Sequence, residues 1–256
     1  MFTEVDSLSP AQKKKLAKLR KEAKDRERNF KKMNKARKRV AIAKDVIAQV
    51  KDGKIIAEAG TWHQLSSDAE CRELEGPTGI NRPDDYLEEE DEEKLEKVLK
   101  QDVRDILLIN QAAGQECTVC AIGALWNCAV IRKDNIALGK FQSQSLDKEA
   151  ADVLLGYFEK FFDPKQLQLI ENCFEDGHGG TGDDLLTTEE HSMACQYGEV
   201  YDFNGASTNW YGNGDNDRKR LIHIMENIIR NKGTFVLNKA DFDEYNHAEE
   251  YEQGDF

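Results

Sequence analysis

Fifteen consecutive residues, Cys117 to Ile131, carry no charged side chain and hold three of the six cysteines of the chain. Because 33% of the chain is charged, a stretch this apolar belongs to the interior, and the fold has to be built around it. Thr118 stands where it would cap a helix over this stretch, with Lys133-Asp134-Asn135 as the exit.

Charge is segregated along the chain. Residues 1–40 hold 15 Lys and Arg against 5 Asp and Glu, a net of +10, while the other 216 hold 21 against 44, a net of −23. Acidic residues concentrate at Asp84 to Glu96 and from Asp241 onward. The expected organisation is a basic helical arm over residues 1–39, a globular domain over 40–240 and an acidic tail over 241–256. Removing the arm is expected to leave the body folded. The longest apolar runs fall short of the roughly 20 residues a membrane helix needs, so no membrane partner is expected. Met1 to Asp6 lack a basic then apolar leader pattern, which points to a cytoplasmic protein with reduced thiols.

The fold class read from the pattern is mainly α (α+β): five or six helices around one core, with a small two- or three-stranded sheet. Ser9 and Pro10 open a helix in which Leu16, Leu19, Ala23, Phe30, Met33 and Val40 fall on a seven-residue grid. Its apolar face strengthens after Arg39 through Ile42, Ala43, Val46, Ile47 and Val50, and Gly53 ends it. Ile55-Ile56 and Thr234 to Leu237 are strand candidates that would pair with each other. Further helices are expected over the Leu95 to Leu107 face with an end by Gly114, at Leu146 to Phe162, from Asp163-Pro164 to Phe174, and from Asp217 to Asn231 with Gly233 as stop. The stretch 175–217, rich in Gly, Asn, Asp and Thr, reads as a long loop.

Three constellations carry chemistry. Cys120, as the second residue of a helix capped by Thr118, would have its thiolate stabilised by the helix dipole, with His63, His178, His191 or His223 as base. The plainer reading makes Cys117, Cys120 and Cys128 small core hydrophobes. Second, Cys117-x-x-Cys120 with His191-x-x-x-Cys195 supplies the Cys3His donor set that suits zinc, the one cofactor the sequence suggests. Third, Lys13, Lys14, Lys15, Lys31, Lys32, Arg37, Lys38 and Arg39 make residues 10–39 a cationic surface for nucleic-acid phosphates or an acidic protein. Gly177 to Gly182 lacks the strand and the Lys-Ser or Lys-Thr of a phosphate loop. Asp215-Asn216-Asp217 lacks the glycine and glutamate of a calcium loop, and capping by Asp215 or Asp217 explains it.

Arg39 to Ile47 with Gly60-Thr61-Trp62, Cys117 to Leu125, and Asn227 to Phe235 together resemble an uncharacterised family of short bacteriophage and bacterial proteins. The resemblance implies a bacterial cell carrying or infected by phage, and therefore the cytoplasm of a bacterial host. It implies no catalytic residue. The expected function is a phage-type, non-enzymatic interaction protein that binds a host or viral macromolecule, or assembles with itself through the N-terminal helix. The alternatives are a hydrolase or transferase with Cys120 as nucleophile and His63 as base, and a zinc-stabilised nucleic-acid binder.

Overall fold

Helix α1 (Pro10–Lys31) begins on a reciprocal cap. Ser9 Oγ accepts from the Gln12 amide at 3.3 Å, and Gln12 Oε1 accepts from the Ser9 amide at 2.9 Å. Two otherwise orphaned N–H groups are thereby satisfied, and Pro10 fits a first turn that needs no donor. The computed structural model describes residues 5–59, 63–65, 103–133, 160–175, 185–200 and 214–238. The acidic run at 84–96, the Leu146 to Tyr157 face, Gly177 to Gly182 and the tail from Asp241 lie outside the described residues.

The first expected helix is in fact two. Lys32 and Met33 amides turn back onto the Asn29 and Phe30 carbonyls, and Asn34 Oδ1 then accepts from the Arg37 amide at 2.9 Å. That side-chain cap starts α2 (Lys35–Lys51) on a new axis. Leu16, Ala23 and Phe30, seven residues apart on α1, are each 3% exposed or less and belong to the same core cluster as Ile42, Ala43 and Val46 on α2. Helix α1 therefore lies on the body along its whole length. Arg20 binds Asp105 in a two-pronged pair at 2.6 and 2.7 Å, and Arg104 donates to Glu27 at 2.8 Å. The half-exposed Arg20–Asp105 pair fixes orientation more than it stabilises. The burial of Leu16 and Phe30, about 1.5–3 kcal/mol each, carries the docking.

Every residue from Cys117 to Ile131 is buried, as the sequence requires. The local structure differs from the single helix expected. Cys117–Val119 is a strand, β3, in the middle of a three-stranded sheet with order β1-β3-β2. It pairs in parallel with β1 (Ile55–Ala57) and antiparallel with β2 (His63–Leu65). Helix α4 (Ala121–Lys133) follows at once, so the cap is Cys120 and not Thr118. The Cys120 carbonyl accepts from the Ala124 amide at 2.9 Å, and its sulfur accepts from the Gly123 amide at 3.5 Å. Helix α3 (Val103–Ala113) precedes β3 and ends at Gly114, whose φ of +86° suits glycine alone.

Thr234 to Leu237 is not a strand and does not pair with Ile55-Ile56. Two amide side chains take the place of a sheet partner. Gln166 Nε2 donates to the Phe235 carbonyl at 3.0 Å and its Oε1 accepts from the Phe235 amide at 2.7 Å. Asn227 does the same for Val236, at 2.8 and 3.0 Å. A primary amide offers the donor and acceptor of a peptide group, so backbone near Phe235, itself 1% exposed, is satisfied without a ladder.

Helix α5 (Pro164–Phe174) is capped by Asp163 as expected. The expected loop at 175–217 contains a helix, α6 (Thr188–Val200), started by a Thr187–Glu190 capping box. Helix α7 (Gly214–Arg230) starts three residues before Asp217. Asp217 therefore does not cap it. Only 2% exposed, it accepts from the Ala59 amide at 2.9 Å and ties the helix to the end of β1. At the other end Gly233 N donates to Ile228 O and Lys232 N to Ile229 O, a six-to-one and five-to-two pair with Lys232 at φ +55°. The architecture is mainly helical with a small sheet, and the described residues alone give seven α-helices against the five or six expected. No helix among them is long and apolar enough to cross a membrane.

Candidate functional site

The sequence places its chemistry around Cys120, and the structure gives that thiol a dry setting. Cys120 is 6% exposed, and burial raises its pKa, with the carboxylates of Glu175 and Glu171 adding to the rise. It sits at the cap, not in the first turn where the dipole argument had put it. Register brings the His63 backbone opposite Val119, next along the chain to Cys120. His191 is exposed on α6, His223 is half-buried on α7, and His178 lies outside the described residues.

The four residues of the zinc set are not brought together. Cys117 is buried on the central strand, where the Asn127 amide donates to its sulfur at 3.4 Å and burial pushes the thiol up to about 12. Cys195 is half-buried on α6, and one turn away His191 is exposed. Among the described residues no three His, Cys, Asp or Glu side chains converge as metal ligands.

The eight cationic residues separate by what they touch. Lys38 Nζ lies over the Phe30 ring at 5.4 Å and the Phe161 ring at 5.9 Å, and Arg39 donates to the Phe161 carbonyl at 3.0 Å. Both serve the fold. Lys31 pairs with Glu27 at 2.6 Å, and Lys13 reaches the Asp6 carbonyl at 3.4 Å. Lys14, Lys15, Lys32 and Arg37 are exposed and form no ion pair with a carboxylate among the described residues.

Arg37 leads to a feature that sequence reasoning missed. The apolar surface of helix α2 extends beyond the core. Ile42, Ala43, Val46 and Val50 are buried in the core, whereas Ala36, Val40 and Ala41 are only half-buried and, with half-buried Met33 in the turn before the helix, extend an apolar strip away from the core. With Ile229 of α7 they floor a groove of about 640 Å³. Arg37, Lys44 and Lys232 edge it, all three exposed and without a carboxylate partner among the described residues. Arg132 also lines the groove but is held by Asp45 in a two-pronged ion pair. The signal in the sequence was the unbroken apolar run Val40 to Ala43. Lys232 was invisible there because it is 188 residues from Lys44 and meets it only through the packing of α7 on α2.

No family model, no curated protein and no solved structure matches this chain.

Proposed function

We propose that the protein is a non-enzymatic interaction protein that binds an acidic polypeptide segment with apolar anchors in the groove between α2 and α7, in the phage setting the resemblance implies. The observation that carries this reading is an apolar floor edged by three exposed cations that the described fold leaves unpaired. Apolar side chains of a partner gain by leaving water on that floor, and its carboxylates gain from Arg37, Lys44 and Lys232. Nucleic acid is the weaker fit. An apolar floor offers nothing to phosphate, and the aromatic ring on α1, Phe30, is 1% exposed and already covered by Lys38. Self-assembly through the seven-residue edge of α1 is weakened too, because Leu16, Ala23 and Phe30 are spent within the chain. A Cys120 nucleophile is disfavoured by a thiol held protonated by burial.

Fluorescence anisotropy tests the reading with a short fluorescein-labelled peptide of glutamates around two phenylalanine anchors. Saturable binding is expected, weakened by salt and lost when both phenylalanines become alanine. Failure of the peptide to bind, alongside steeply salt-dependent binding of duplex DNA, would transfer the function to nucleic acid.

A further inference from the structure

We propose that the acidic, aromatic segment 241–256 of this same chain docks in the groove between α2 and α7 and competes there with outside partners. The inference rests on the groove being a binding site, and it names an occupant that the chain itself supplies.

The chemistry of the segment is the complement of the groove. From Asp241 to Phe256 there are seven Asp and Glu and no Lys or Arg, and the carboxylates are interleaved with Phe242, Tyr245, Tyr251 and Phe256. The groove presents apolar floor residues such as Val40 and Ile229 between Arg37, Lys44 and Lys232. Aromatic anchors on the floor with carboxylates at the rim would pair each kind of group with its opposite.

Reach permits it. Lys232 edges the groove, and Asn238 is six residues further on. At about 3.3–3.6 Å per residue, Asn238 lies within roughly 22 Å of Lys232, while the 18 residues after it span up to about 60 Å. The segment can return to the groove with length to spare. A tether of this size holds its end at an effective concentration on the order of millimolar, so even a segment of weak intrinsic affinity competes.

Two measurements on the full chain test this. In the first, the seven carboxylates from Asp241 to Asp255 are replaced by their amides and the phenylalanine-anchored acidic peptide is titrated as probe. A roughly tenfold gain in affinity over the natural chain is expected, as removal of a millimolar competitor with a dissociation constant of about 0.1 mM would give. Unchanged affinity with binding intact overturns the inference and leaves the groove reading standing, whereas absence of binding to both chains overturns both. In the second, a carbodiimide joins carboxylates to amines without a spacer in an equal mixture of isotopically light and heavy protein. Joins from the segment to Lys44 or Lys232 within one chain are expected. Joins only between chains, only to α1 lysines, or none while both lysines still react with an amine reagent overturn it.

Discussion

A β-carbon added at Gly233 would stand 2.5 Å from the carbonyl oxygen of Ala36. The end of α7 thus rests directly on the first turn of α2, with Gly233 at φ +101°, and this contact sets one wall of the groove that Ala36 and Lys232 line. Gly233→Ala has to move backbone, not a flexible side chain. We expect a loss of about 1–3 kcal/mol in urea unfolding together with weaker acidic-peptide binding. A neutral substitution would mean that α7 does not seat on α2 in this way.

Phe30 tests whether α1 belongs to the core. Its ring centroid is 5.6 Å from that of Phe161, and the side chain is 1% exposed. Phe30→Ala should cost about 3–5 kcal/mol in chemical denaturation. A cost below about 1 kcal/mol would return α1 to the status of a detachable arm.

Glu171 makes stability depend on pH. Burial pushes its carboxyl up to about 7, whereas in the unfolded chain it ionises near the ordinary value of about 4.3. Below about 4.3 both states are protonated and the fold bears no penalty. As pH rises toward 7 the unfolded chain ionises first, so stability falls across that window by about 3 kcal/mol. Glu171→Gln should remove that decline. Glu190 acts with the opposite sign. The Lys165 ammonium and the Thr187 amide hold it down to about 2, so its contribution is present above about 4.3 and is lost toward pH 2. Unfolding titrations of both amide variants against the natural chain separate the two windows.

Much of the fold was legible in the sequence because local signals agreed with packing. The uncharged stretch 117–131 had to be interior, Ser9 and Pro10 had to start a helix, and Gly114 had to end one. What was not legible had physical reasons. A three-residue strand buried on every side, Cys117–Val119, shows no alternation, so nothing distinguishes it from the start of the helix that follows. The Thr187–Glu190 box was present, but Gly, Asn and Asp on both sides outweighed it. The break at Asn34 depends on one side-chain cap inside an otherwise helical composition. Of the eight cations read as binding residues, Arg37 is the one that lines the groove; Lys44 lies two turns further along the same helix, and Lys232 comes from a distant part of the chain.

The thiols should order themselves by exposure. Cys117, Cys120, Cys128 and Cys173 are buried and raised in pKa, while Cys195 is half-buried. Iodoacetamide on the native protein, read by mass spectrometry, should label Cys195 first among these five. Preferential labelling of Cys120 at mildly acidic pH would instead reveal a thiolate there and revive the nucleophile.

The groove itself is tested most directly by comparing two charge reversals of equal size against the same acidic peptide. Lys14 and Lys15 line no part of the groove, and exposed charges act over only about 8 Å at physiological salt. The double variant Arg37→Glu/Lys44→Glu should therefore weaken peptide binding by about tenfold or more, while Lys14→Glu/Lys15→Glu should leave it nearly unchanged. Equal losses from both pairs, or a loss from the α1 pair alone, would show that diffuse positive charge and not the groove holds the partner.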